Sequence, residues 1–330
     1  MKKFLLIISS IIISLLTVEM FLKILNFKKF EFIESKNNSI VLPHKVLGWV
    51  TKVGANIINH EKGIYKKIIY TYEDLGNRKT IQKKKNDRNS ILIFGGSFTQ
   101  GWGVSDNKTF SSRIQESLKG LDVYNFGHAG YSGYQSLLLM EDKLKKIRSK
   151  KLIIYGFIEH HEQRNVARAN WLKLLAQISN SSGKEIPKVP YVILDKNKNL
   201  KRKKPISYTK FIFSENFITI HLMEKFYMKQ VSKKRKKYQR KVTNKIFLEM
   251  RDLSLDNNAN FLVVVLDWSN KLSNEKYSKF FIDNKINFIN CKIDMNKETL
   301  LKDDYHPNER GHYMYKECIL NYINKGKLFL

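Results

Sequence analysis

The chain has 330 residues, with 60 Lys plus Arg against 30 Asp plus Glu, a formal net charge of +30, and two cysteines. That length supports one sizeable α/β domain with additions rather than two large domains, and two cysteines exclude a disulfide scaffold and a cysteine-rich metal site. The charge would suit nucleic acid, but only 11 of the basic residues are Arg, no zinc finger, P-loop or RNA-binding aromatic motif occurs, and the Lys-, Asn- and Ile-rich composition reads as bias; no nucleic-acid partner is expected.

Lys2 and Lys3 precede an apolar stretch from Phe4 to about Leu25, interrupted by Glu19 and Lys23. About 20 apolar residues span a bilayer, and no small-x-small cleavage site follows Val18. Residues 1–26 are therefore expected to be an uncleaved signal anchor, a single-pass transmembrane helix with the rest of the chain outside the cytoplasm; a cleaved signal is the alternative. Glu19 and Lys23 are spaced to pair where the helix leaves the membrane.

Residues 27–87 read as a stalk and lead-in, with short strands at Leu47–Val50 and Ile64–Tyr72 and a charged turn at Gln82–Arg88. From residue 88 apolar strands alternate with helical patterns. Strands are expected at Ser90–Phe94, Val123–Phe126, Leu152–Phe157, Phe261–Leu266 and Ile286–Cys291. Helices are expected at Thr109–Leu118, capped by Asp106 or Asn107, and at Gly133–Arg148, Tyr238–Leu255 and Asn308–Asn324. That alternation means a doubly wound parallel sheet.

The alternation stops between about residues 165 and 237, where Pro187, Pro190 and Pro205 fall among many Lys and Asn. This insertion is expected to carry a hairpin of Tyr191–Leu194 against Ile206–Phe213 and to form an ordered cap, since long structureless insertions are uncommon in compact folds. Its Trp171, Tyr191, Tyr208, Phe211 and Phe213 suit either a local core or sugar rings. The basic run Lys233–Lys237 reads as a solvated face. For Cys291 and Cys318 two readings stay open, a bridge outside the cytoplasm or two buried thiols.

Ligands of a parallel α/β sheet bind beyond the carboxyl ends of the strands. Ser97, in Gly95-Gly96-Ser97-Phe98-Thr99-Gln100-Gly101, follows the first strand, and Gly130 follows the second. His306 sits in Asp303-Asp304-Tyr305-His306-Pro307. A serine on a Gly-rich strand end with a distant His and an Asp nearby is the set that acyl transfer uses: nucleophile, base and orienting carboxylate. Asp303, three residues before His306, reaches it in a turn or a first helical turn, with Pro307 at the helix entry; Asp304 is its rival. Ser97 is not in a G-x-S-x-G elbow, which argues against an α/β-hydrolase fold. His312 reads as a surface or core residue.

The block Gly95–Val104 with Asp106, Thr109 and Phe110, the block Val123–Gly130, and Asp303–His306 together resemble the SGNH (GDSL-like) hydrolase superfamily, in particular its membrane-anchored bacterial branch, over roughly residues 88–325. The resemblance implies a flavodoxin-like three-layer sandwich and a catalytic set of Ser97, His306 and Asp303. It further implies an oxyanion hole from the backbone N–H groups of Ser97 and Gly130 and a side-chain donor. Two positions depart from the family pattern. Gly96 stands where an Asp is usual, and Ile158 stands where the third block carries Asn, which leaves His160, or Asn165, as the side-chain donor. The expected activity is that of an esterase or O-acyltransferase on short acyl (acetyl) esters, including those of cell-surface glycans, with no cofactor and no metal. A catalytically weak binding or assembly protein for surface polysaccharide is the alternative.

Overall fold

The computed structural model describes residues 2–33, 40–58, 67–81, 89–180, 186–268, 270–301 and 304–327. The expected turn at 82–88, residues 64–66 of the expected strand, and Asp303 lie outside the described residues. The chain divides into two compact units, one of Met1–Lys36, Ala167–Val189 and Ile206–Lys237, the other of Asn37–Val166, Pro190–Pro205 and Tyr238–Leu330.

The larger unit is built on a five-stranded parallel sheet of β1 (Ser90–Gly95), β2 (Asp122–Gly127), β3 (Lys150–Ile158), β4 (Asn260–Asp267) and β5 (Asn287–Asn290). Their spatial order is β2-β1-β3-β4-β5, the doubly wound order with its reversal point between β1 and β3. β1 is buried along its whole length, as expected of a strand covered on both faces. On one face Ile91, Ile93, Ile154, Leu262 and Val264 pack with Phe110 and Ile114 of helix α3 (Phe110–Ser117) and Tyr315 and Ile319 of a C-terminal helix (Glu309–Tyr322). On the other, Tyr155 and Phe157 meet Phe247 and Tyr277, from the helices Ile218–Asp256 and Lys271–Asp283. Each buried apolar side chain of this kind contributes about 1.5–3 kcal/mol.

The sheet's elements follow the expected order, with informative differences at their ends. Thr109, not Asp106 or Asn107, caps α3, accepting from the Ser112 amide, because Asp106 is held by Arg78. The helix α4 (Gly133–Lys146) opens with a capping box of Ser132 and Gln135. The C-terminal helix starts at Glu309 with Asn308 as its cap, so Pro307 is not its first residue but ends a short strand, Asp304–Pro307, paired with Leu300–Leu301. In the lead-in, Gly48–Thr51 pairs with Val41–His44 and Ile68–Tyr72 with Gly54–Ile58. Cys291 and Cys318 form a disulfide.

The hairpin in the insertion pairs Val189–Leu194 with Leu200–Ile206, not with 206–213. The five residues Asp195–Asn199 close it tightly: Lys198 takes φ +63°, and the Asp195 amide donates to the Asn199 carbonyl. The second strand therefore begins at once. The helix expected from Tyr238 begins instead at Ile218 and runs to Asp256. Its first turns escaped the apolar-period test because their inward positions include His221, Glu224 and Ser232.

The smaller unit holds helix α1 (Lys2–Ile24), none of whose described side chains is buried and which is long and apolar enough to cross a membrane. Phe30 is buried in this unit, stacked on Tyr208 and edge-on to His221.

Candidate active site

Three glycines at the carboxyl ends of adjacent strands lie in one row, Gly127 opposite Gly95 and Gly95 opposite Gly156. A Cβ on Gly95 or Gly156 would meet Thr99 Oγ1 at 2.1 or 2.2 Å, and one on Gly127 would meet the Gln100 amide at 2.3 Å. This side-chain-free floor lets the single-turn helix α2 (Ser97–Gln100) lie flat on the sheet edge. Ser97 is its first residue and is 6% exposed.

The far end of that turn is clamped by Arg78, fully buried. Its Nε donates to Asp106 Oδ1 (2.8 Å). Nη1 donates to the carbonyls of Gln100 and Gly101 (2.7 Å each), and Nη2 to those of Ile69 (3.1 Å) and Val104 (2.6 Å). The guanidinium also lies 4.4 Å from the centroid of the Tyr70 ring. A planar cation with five donors suits such a cluster of carbonyls; a lysine does not. Asn125 steadies the same turn by donating to the Thr99 carbonyl at 3.0 Å.

His306 reaches this turn from the strand Asp304–Pro307. Its Nε2 is 2.9 Å from Ser97 Oγ, and its Nδ1 is 2.5 Å from Asp304 Oδ1. Asp304 Oδ2 accepts from Trp102 Nε1 at 3.1 Å, and Phe98 sits edge-on to the imidazole. The segment is extended, so the same-side neighbour of a residue is two positions away. Asp304, rather than a residue three positions away in a helical turn, therefore carries the carboxylate on Nδ1. His312 is buried in the core, stacked on Phe110 and accepting from its amide, and burial holds its pKa down at about 3.

Gly130 takes φ +78° in a turn closed by the Tyr131 amide on the His128 carbonyl, the left-handed position of a type II turn. Among the described residues neither the Ser97 nor the Gly130 amide has a hydrogen-bond acceptor. His160 stands at the N-cap position of the short helix His161–Asn165 without a side-chain capping hydrogen bond. Burial lowers its pKa, helped by Arg164 and opposed by Asp267 and Glu159. Asn165 is committed elsewhere, accepting from the Tyr134 amide and donating to Thr243.

The residue that does lie against the Ser97 turn is His161. A Cβ on Gly96 would sit 2.7 Å from His161 Nε2. His161 is fully buried, and its Nδ1 is 2.6 Å from Tyr155 Oη. Burial, then Arg164 and His160, push its pKa far below the ordinary value, so the ring is neutral. Burial keeps the Tyr155 phenol protonated, and His161 is its sole acceptor among the described residues. Tyr155 thus donates to Nδ1, which leaves the ring proton on Nε2. That Nε2–H has no partner among the described residues, and a buried orphan donor of this kind calls for a functional account.

No protein-family model matches the chain, and no curated protein does. Among solved structures the chain is similar to a lipolytic protein of the G-D-S-L family from Veillonella parvula, with 12% identity over 72% of this chain and 99% of that one and a TM-score of 0.41. It is also similar to a carbohydrate acetylesterase from Sinorhizobium meliloti, with 12% identity over 72% and 99% and a TM-score of 0.35.

Of the residues singled out in the sequence, the structure brings Ser97 and His306 together and supplies Asp304 as the carboxylate. Asp303 lies outside the described residues. Arg78 and His161 went unnoticed in the sequence. Arg78 sits in a polar turn, Gly76-Asn77-Arg78-Lys79, where a charge signals only solvent. His161 adjoins His160, and the spacing from Gly156 does not tell them apart.

Proposed function

We propose that this chain is a membrane-anchored serine esterase or O-acyltransferase for short acyl esters, with its catalytic unit outside the cytoplasm. The observation that carries the reading is His306 bridging Ser97 Oγ and Asp304 within hydrogen-bond distance of both. His306 Nε2 takes the Ser97 hydroxyl proton as Oγ bonds to the ester carbonyl carbon, while Asp304 holds the Nδ1 proton and stabilises the imidazolium. The carbonyl π pair moves to oxygen, which the Ser97 and Gly130 amides and neutral His161 Nε2–H stabilise; a neutral donor suffices because the charge develops only in the transition state. The tetrahedral intermediate collapses, the alcohol leaves with the proton from His306, and Ser97 carries the acyl group. Water or an acceptor hydroxyl, deprotonated by His306, then takes the acyl group and restores the serine. Acetyl esters of surface glycans are the substrates to which the family resemblance points.

The extracytoplasmic placement is supported by the Cys291–Cys318 disulfide, since such bonds persist in oxidising compartments, and by α1. The test is a fluorophosphonate probe and 4-nitrophenyl acetate. Wild-type protein should be labelled on Ser97 and turn over the ester, and Ser97→Ala should lose both, with a rate loss on the order of 10⁴ or more. Equal turnover by Ser97→Ala would remove the serine from the mechanism. An unlabelled, inactive wild type would leave a polysaccharide-binding protein.

A further inference from the structure

Within the smaller unit, α1 is tied to the start of the Ile218 helix. Glu19 Oε1 accepts from the Ile218 amide at 2.6 Å, and Oε2 accepts from the Thr219 amide at 2.9 Å and from the Thr219 hydroxyl. Glu19 lies five residues before the end of α1, about 7.5 Å along its axis. The beginning of the Ile218 helix is therefore fixed beside the last turns of the apolar segment. A cleavage after residue 20 would remove this carboxylate and leave those donors without their acceptor.

Although Ile218 and Met228 are buried, the same helix start departs from the pattern of a soluble helix at several positions. Its inward side carries His221 and Glu224, both buried; Glu224 accepts from the Tyr208 hydroxyl and the Phe211 amide, and His221 lies 3.0 Å from Lys173 Nζ. Its outward side carries Met223 and Phe226, 61% and 64% exposed, and the turn before it presents Ile212 at 78%, Phe213 at 61% and Phe217. A helix in water does the reverse, and a contiguous apolar patch of this kind marks an interaction surface. Phe213 holds φ +66°, costly for a bulky residue, while its ring points outward. Exposed Lys225 and Lys229 flank the aromatic positions, and the run Lys233–Lys237 follows on the same helix.

We infer that Ile212, Phe213, Phe217, Met223 and Phe226 lie in the interfacial layer of the bilayer that α1 crosses, with the neighbouring lysines against anionic headgroups. The inference rests on α1 being a retained anchor. Two features select lipid as the occupant. The tie to Glu19 sets the patch at the depth where α1 leaves the membrane, and aromatic and aliphatic side chains bordered by lysines have the chemistry of that layer.

The test uses the full chain in vesicles of phosphatidylethanolamine and phosphatidylglycerol. The only two cysteines form the disulfide, so Phe213→Cys and, separately, Phe226→Cys each give one labelling site for an environment-sensitive fluorophore. Both positions are exposed, so the fold does not depend on the lost rings. The expected result is a blue-shifted emission, most of which is lost to a nitroxide-labelled lipid and little to aqueous iodide. Quenching by iodide alone overturns the inference, and so does a blue shift without nitroxide quenching, which means that a protein covers the patch. Alkaline carbonate extraction of the same vesicles separates the two claims. A chain that stays in the pellet with probes open to iodide keeps its anchor and loses the interfacial face; a chain that extracts loses both.

Discussion

Replacing Asp304 with Asn is the sharpest test of the site. The carboxylate accepts the Nδ1 proton of His306 across 2.5 Å through one oxygen and the Trp102 indole N–H across 3.1 Å through the other. An amide keeps the shape. Its oxygen stays on Trp102, which turns its NH₂ toward His306 and forces Nδ1 to become the acceptor. The imidazole proton then moves to Nε2, 2.9 Å from Ser97 Oγ, so the base presents a proton to the hydroxyl it must deprotonate. A wrong tautomer of this kind costs on the order of 10⁴ in kcat, about 5 kcal/mol of transition-state stabilisation. Little stability should be lost, because the hydrogen bonds of residue 304 to His306 and Trp102 survive. Single-turnover acetylation with 4-nitrophenyl acetate, read with thermal unfolding, gives both quantities. Asp303→Asn should leave the rate within about threefold of wild type, since Asp304 already holds Nδ1 of His306. If Asp304→Asn retains wild-type turnover and Asp303→Asn loses it, the extended register at 304–306 is not the active one.

Arg78→Lys removes a five-donor fork from a buried site and supplies three donors at one point, so at least two of its acceptors go unpaired. At about 1–3 kcal/mol for each and about 2–4 °C per kcal/mol, differential scanning calorimetry should show a fall in Tm of about 4 °C or more, and an unchanged Tm would mean that the clamp is not formed. His161→Leu should lower kcat about 10²-fold with KM little changed, as loss of one oxyanion donor does, and His161→Gln, which keeps an N–H at that reach, should recover part of it. A loss of Tm with kcat intact would make His161 a core residue only.

The sheet was legible because its strands are short apolar runs between helical periods, the strongest local signal a chain carries. The pairing of Ser97 with His306, 2.9 Å apart in the structure, was legible because a serine on a glycine-rich strand end and a distant histidine have few other joint uses. The orienting carboxylate was harder to assign, because Asp303 and Asp304 differ only in backbone conformation: a helical turn favours a partner three residues off, an extended segment one two residues off. The first turns of the Ile218 helix were illegible for a different reason. Polar His221, Glu224 and Ser232 are buried there and apolar Met223 and Phe226 exposed, so a rule that equates apolar with inward reads them as irregular chain.

Glycine at 96 and isoleucine at 158, the two positions that differ from the pattern the sequence resembles, are explained by one packing arrangement. Ile158 ends β3 with its side chain in the core, beside Ile154 and Leu266, so position 158 has no side chain free to face the nucleophile turn. The chain then turns through Glu159 and His160 into a short helix, and that turn brings the His161 ring back under residue 96. Any Cβ at 96 would press on His161 Nε2, so an Asp there and this imidazole exclude each other. Glycine at 96 is the steric condition for histidine at 161, and an Nε2–H without an acceptor among the described residues is what that exchange places against Gly96.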